Sequence, residues 1–351
     1  MSTKLNWAIT SLLSIGVCSL GVCAPQSQLP SVVKSDNAQS DDSQTSDSQT
    51  AAAKQLKAHV TKLASEFGER NLSKYAALGK SADWIEAQFK ENGYAVNRQT
   101  FEVSNLDCHN IIAEKKGTKH PAKILIVGAH YDSVLGTPGA NDNGSGTASL
   151  LLLAEWLKDF KSDYTIRFVA FTNEEPPYFQ TQGKMGSWVY ARQCRKNSDD
   201  IVGVISLETM GYFSDEEDSQ NYPPLIANRY PKTGNFIGFV SNINSKDFTR
   251  SCYDSFKKHS SVPAEMANLP GAVPGVGWSD HWAFWQEGYV GLMVTDTAPF
   301  RYPDYHLKSD TPDKINYPTL ASVVTGLRDV IKEISCPSEA AAKKSDSPAG
   351  K

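Results

Sequence analysis

From residue 53 onward, apolar and polar positions follow two periods along the chain. Segments 53–67 and 81–91 repeat apolar residues at helical spacing and predict a helical lead-in. Segments 95–103 and 109–114 alternate residue by residue, which predicts a pair of edge strands. Ile124, Leu125, Ile126 and Val127 then form an unbroken apolar run closed by Gly128, the pattern of a strand buried on both faces. Over 147–160 the stripe Leu150, Leu151, Leu153, Ala154 and Leu157 predicts a helix. TIRFVAFT at 165–172 and IVGVISL at 201–207 are two further buried strands, with a helix expected over 186–195. A long loop at 221–234 precedes a strand at 236–240 and a helix at 248–258. The Gly/Pro-rich stretch LPGAVPGVGWSDH leads to a short helix at 282–286, a strand at 290–295 and a closing helix at 317–334. Strands alternating with helices predict an α/β fold, a three-layer sandwich with helices on both faces of a central sheet. There is no internal repeat.

The two ends are patterned differently. Lys4, the apolar run 8–21 and the small residues around Val22, Cys23 and Ala24 fit a secretory signal peptide over 1–24, which implies a secreted or periplasmic protein. Serines dilute that run below what a stable membrane span needs, and lipid anchoring at Cys23 is the less favoured alternative. Residues 25–51, rich in Ser, Gln and Asp, are expected to be a disordered linker, and 337–351 a tail of the same kind. The folded domain is therefore expected over 52–336. With 35 basic and 39 acidic residues the net charge is -4, which offers no basic field for nucleic acid. Cys108, Cys194, Cys252 and Cys336 show no C-x-x-C spacing, which argues against a cysteine zinc site and favours structural disulfides, in one of three pairings, or buried thiols. Oligomeric state leaves no trace in the sequence.

Polar residues at the ends of the buried strands change the picture. His130 and Asp132 follow the first strand, Glu174 and Glu175 the second and Glu208 the third, while Asp142 stands just before the 147–160 helix. Ligands of open α/β sheets bind beyond the carboxyl ends of the strands. One polar residue after a strand is an ordinary turn, but three strands ending this way mark a site. His130 and His306, with the carboxylates Asp142, Glu175 and Glu208, suit a divalent cation, zinc first. Five donors exceed one open tetrahedral site and suit two ions sharing a bridging carboxylate, Asp142. Glu174 is then free to act as general base. Asp280 fits an N-cap of the 282–286 helix, and Asp310 is placed with it in a supporting role. The loop Asn143-Gly144-Ser145-Gly146 lacks the lysine of a phosphate-binding loop. Its Asn143 is formally a glycosylation acceptor, but a glycan there would block Asp142. No G-x-S-x-G elbow supports a serine hydrolase.

The segments HYDS at 130–133, GANDNGSG at 139–146, NEE at 173–175, LETMG at 207–211, SDHWAFW at 279–285 and YHLKSDTPDKI at 305–315 have a specific order and spacing. Together they resemble the M28 family of co-catalytic zinc aminopeptidases, over about 109–314. The resemblance implies a zinc-dependent exopeptidase-like sandwich with a mixed, mostly parallel sheet. It also implies two zinc ions per chain and peptide substrates with a free N-terminus. It assigns His130 and Glu208 to one zinc, Glu175 and His306 to the other, Asp142 to the bridge and Glu174 to the base, with Asp132 orienting His130. Position 208 is more often Asp in that family, so Glu208 brings a longer arm. A glutaminyl cyclase-like single-zinc acyltransferase would need only Asp142, Glu175 and His306. A non-catalytic binding module would be expected to show a broken ligand set. The loops 215–233 and 267–277 are expected to wall the pocket for the substrate's first side chain.

Overall fold

In chain order the helices are α1 (Gln39–Thr61), which widens into one further turn at Lys62–Phe67, then α2 (Tyr75–Glu91), α3 (Gly146–Leu157), α4 (Gly186–Asn197), α5 (Lys246–His259), α6 (His281–Gln286), α7 (Ala298–Arg301) and α8 (Tyr317–Ser335). The strands are β1 (Ala95–Val103), β2 (Leu106–Lys115), β3 (His120–His130), β4 (Tyr164–Phe171), β5 (Asp200–Glu208), β6 (Ile237–Ser241), β7 (Ala264–Asn268) and β8 (Gly291–Thr295). These elements come from a computed structural model that describes residues 39–224 and 226–337. The signal peptide and lipid-anchoring cysteine expected within 1–24, the linker up to residue 38, and the tail from 338 lie outside the described residues.

All eight strands join one sheet in the order β1-β2-β4-β3-β5-β8-β6-β7. The pairs β3/β4, β3/β5, β5/β8 and β6/β7 are parallel, whereas β1/β2, β2/β4 and β6/β8 are antiparallel. Alternation along the strands divides the core between the two faces. Leu125, Val127, Ile166, Phe168, Leu207 and Val294 pack with the buried sides of α1, α2, α3, α5 and α8. Ile124, Ile126, Val169, Phe171 and Val204 pack on the other face with Tyr190 and Ala191 of α4 and Phe284 of α6. Each such side chain contributes about 1.5–3 kcal/mol by leaving water. Helix α3 buries Leu152 as well as its expected stripe, because it is covered on both sides.

Several elements depart from the sequence expectations, among them the short helix α7, which has no counterpart there. The segment expected as linker is helical from Gln39. No Gly or Pro interrupts 39–61, and the turns anchored by buried Ala52, Leu56 and Val60 let the helix propagate outward through polar residues. Strand β7 was not legible, because AEMAN is short and only weakly apolar; it survives as an edge strand beside β6. Helix α2 starts at Tyr75 rather than 81. Cys108, Cys194, Cys252 and Cys336 are all free thiols, the first three buried. No helix among the described residues is long and apolar enough to cross a membrane.

Candidate metal centre

The adjacent parallel strands β4, β3 and β5 end at one edge of the sheet, and each delivers part of the site. His130 is the last residue of β3, and Glu208 the last of β5. Asn173, in the left-handed region at φ 57°, turns the chain after β4 so that Glu174 and Glu175 point back over the edge. Asp142 arrives on the glycine loop before α3. Gly139 is required there: its φ is +61°, and a Cβ would lie 2.4 Å from the Asp142 carbonyl oxygen and 2.6 Å from Ser133 Cβ. His306 comes from the loop after α7, at φ 60°, with the Tyr305 ring stacked on its imidazole at 3.9 Å.

His130 Nε2 lies 3.1 Å from Glu208 Oε2 and 3.4 Å from Asp142 Oδ1. On the other side of Asp142, His306 Nε2 is 3.1 Å from Oδ2 and 3.4 Å from Glu175 Oε2. Two donor sets result, His130/Asp142/Glu208 and Asp142/Glu175/His306, each with one atom per residue within 4.8 Å of the others, and they share Asp142. Glu175 Oε1 and His306 Nε2 make no hydrogen bond although both are buried. Unpaired buried donors and acceptors are costly, and imidazole nitrogen with carboxylate oxygen is a donor set for zinc. The residues therefore fit the ion.

The electrostatics agree. Burial pushes Glu174 and Glu175 well above the ordinary carboxylate range, and neighbouring acids add to this: Glu208 and Asp280 for Glu174, Asp142 and Glu174 for Glu175. Glu208 is raised for the same first cause, burial. Burial would lower His130, but the charges of Glu208 and Glu174 outweigh it and hold its pKa well above the usual imidazole value. Burial likewise opposes ionisation of Asp142, but the imidazoles of His130 and His306 beside it prevail and hold it low. A concentration of buried acid this dense invites a cation.

The supporting residues take roles the sequence did not resolve. Asp132 Oδ1 is 3.5 Å from His130 Nδ1, yet its shorter contacts are with backbone: Glu174 N donates to Oδ1 at 3.2 Å and Glu175 N to Oδ2 at 3.1 Å. Asp132 thus ties the β4 turn to β3. Asp310 does the same for the glycine loop, accepting from Asn141 N at 2.8 Å, Asp142 N at 3.1 Å and Tyr302 Oη at 2.9 Å. Asp280 makes no N-cap bond to α6. It is fully buried, neither oxygen is hydrogen-bonded, and burial pushes its pKa up to about 7. Its backbone is already helical, which aims the carboxylate away from the free N–H groups of the first turn. Its neighbour Ser279 donates to Glu208 Oε2 at 2.7 Å. Asn143 is fully buried, donating to the Leu207 carbonyl and accepting from Gly146 N and Thr209 N, so it is closed to glycosylation in the folded chain.

Sequence reasoning missed Arg70. This fully buried cation donates to the carbonyls of Tyr131, Leu63, Gly68, Pro138 and Gly139, and so clamps the chain between His130 and Asp142. Burial lowers its pKa to about 10, while Asp132, Asp310 and Asp142 favour its charged form. Arg70→Ala is expected to cost about 3 kcal/mol or more, since several buried carbonyls lose a charged donor at once. Urea unfolding of the two proteins measures this; equal stability would mean that water replaces the guanidinium.

A cavity opens beside Glu208, with about 760 Å³ of atom-free space, part of it open to solvent. Its walls include Tyr222 and Ile226 from the expected loop 215–233, and Leu269 and Val276 from 267–277. Trp278, Phe300 and Tyr305 complete them.

A sequence model described as peptidase family M28 matches residues 110–331. A protein of Escherichia coli strain K12, named uncharacterized protein YfbL, is 34% identical over 283 residues, covering 78% of this chain and 86% of that one. Aminopeptidase YwaD of Bacillus subtilis is 49% identical over 94 residues, 24% of this chain and 20% of that protein. Among solved structures, BSAP, a zinc aminopeptidase from Bacillus subtilis, superposes with a TM-score of 0.65 at 18% identity, over 82% of this chain and 96% of that one.

Proposed function

The chain belongs to peptidase family M28 and is a zinc aminopeptidase; we propose that it holds two zinc ions per chain and removes N-terminal residues from peptides, with Glu174 as general base. The observation that carries this reading is the pair of donor sets sharing Asp142. His130 and Glu208 would hold one ion and Glu175 and His306 the other, with Asp142 between them. Zinc, when bound, supplies Lewis acidity toward a carbonyl and acidifies water. The remaining chemistry belongs to the chain's own residues. Glu174 belongs to neither donor set and would be left free of both ions; its Oε2 lies 3.8 Å from His130 Nε2. Burial raises its proton affinity, which suits a group that takes a proton from attacking water and returns it to the leaving amine. The surrounding carboxylates favour a substrate's terminal ammonium. The cavity beside Glu208 receives the side chain of the first residue. The apolar run at 8–21 supports export as the route by which the enzyme meets its peptides.

A direct test compares aminoacyl p-nitroanilides with their N-acetyl counterparts on the zinc-loaded protein. Free amines are expected to be cleaved and blocked ones spared. Cleavage of both would make the protein an endopeptidase. Pyroglutamate formation from N-terminal Gln, without hydrolysis, would establish the single-zinc acyltransferase instead; the intact His130/Glu208 pair argues against it.

A further inference from the structure

The floor of the cavity is defined by the register of the sheet. Glu208 pairs with Thr295, Thr295 with Gly238, and Gly238 with Glu265. Residues paired in register point to the same face, so these four form one row across β5, β8, β6 and β7, and all four line the cavity. Three strand spacings separate the backbones of Glu208 and Glu265 by about 14 Å. Between them stand only the small side chain of Thr295 and Gly238, where an added Cβ would meet Thr297 Cγ2 at 3.5 Å and Val240 Cγ2 at 3.6 Å, so no large side chain of the row separates the two carboxylates. Aromatic rings flank it: Tyr222 and Tyr230 with centroids 5.7 Å apart, and Trp278 stacked on Phe300 at 6.2 Å.

Glu265 is the exception in this lining. It is half-buried, burial raises its pKa, and the charge of Lys257 only partly offsets that; no hydrogen bond or ion pair satisfies it among the described residues. A partly desolvated carboxylate without a cationic partner at the end of an aromatic cavity gains from a ligand that brings one.

We propose that Glu265 selects a cationic side chain, Arg or Lys, on the first residue of the substrate. The inference rests on the aminopeptidase reading for what enters the cavity. With the terminal amine held near Glu208, the methylene stem runs over Gly238 between the rings, as long basic side chains pack their stems on apolar surface. The cationic head then meets Glu265, with the aromatic faces adding to the attraction. Leu or Phe would fill only the near part and leave the carboxylate unpaired. An acidic first residue would be repelled.

The test uses the zinc-loaded full chain and its Glu265→Gln variant with Arg, Lys, Leu, Phe and Glu p-nitroanilides. It is paired with calorimetric binding of free L-arginine and L-leucine. The wild type is expected to favour Arg and Lys over Leu in kcat/KM. Glu265→Gln is expected to narrow the Arg/Leu ratio by about 10- to 100-fold, mostly through KM, as loss of a charged hydrogen bond implies. Cleavage of Leu or Phe as efficiently as Arg by the wild type, or an equal change in all substrates on mutation, overturns the assignment while leaving the aminopeptidase reading intact. Glu265-dependent arginine binding without turnover of any substrate would reject the aminopeptidase reading and keep the cation pocket. Neither turnover nor arginine binding would reject both.

Discussion

Glu174→Gln is expected to lower kcat on aminoacyl substrates by about 10²- to 10⁴-fold, the usual worth of a positioned general base. The amide keeps the shape of the side chain but cannot accept the proton. Glu174 belongs to neither donor set, so zinc content should stay at the wild-type level. The backbone N–H of Glu174 that donates to Asp132 is untouched, so the turn carrying Glu175 should hold. Glu174→Asp shortens the reach and is expected to recover part of the rate. Near-normal turnover in Glu174→Gln at full zinc content would remove the residue from the mechanism.

Removing zinc is expected to abolish turnover and to destabilise the fold in a way that depends on pH. Without the ions, Glu174, Glu175 and Glu208 have pKa values raised by burial, and His130 is raised by its carboxylate neighbours. A raised pKa in the folded state means stability that is present below the unfolded value and lost as pH rises through the folded value. All four groups act in this direction, from about pH 4.5 for the acids and about pH 6.5 for the histidine. Asp142, held low, gives stability already complete above its unfolded pKa of about 4, so it does not oppose the trend. The metal-free protein is therefore expected to lose Tm as pH rises from 5 to 8. The zinc-bound protein should gain relative to it over the same range, since deprotonated ligands bind the ion more tightly; occupancy at 100 times Kd is worth about 2.7 kcal/mol per site. Thermal melts with and without chelator measure the difference. A gap that shrinks with rising pH would contradict the coordination by these carboxylates.

Much of this site can be read from the sequence because it is built at strand ends. A buried strand announces itself as an apolar run, and His130 and Glu208 close such strands while Glu174 and Glu175 follow one by a short turn. Asp142 is marked by glycines that only a tight approach requires. What escaped is held by long-range contacts without local periodicity. Arg70 lies in a polar stretch between two helices, and nothing around it shows that its donors reach three carbonyls of the loop from Tyr131 to Gly139, beside those of Leu63 and Gly68. Asp280 stands where an N-cap is common, but capping depends on backbone angles the sequence does not report. Strand β7 has too few apolar residues to stand out, and with it the row linking Glu208 to Glu265 was hidden. The helix at 39–51 shows the converse: polar composition argued for disorder, while the absence of a breaker let α1 extend.

The central claim is that two ions share Asp142, with Glu208 reaching one of them on a longer arm than an aspartate would have. Stepwise zinc addition to the metal-free protein, with bound zinc and aminopeptidase turnover followed at each step, tests it most directly. The account requires binding to saturate at two zinc ions per chain, with full turnover reached only as the second site fills. Saturation at one ion per chain with full activity would contradict it.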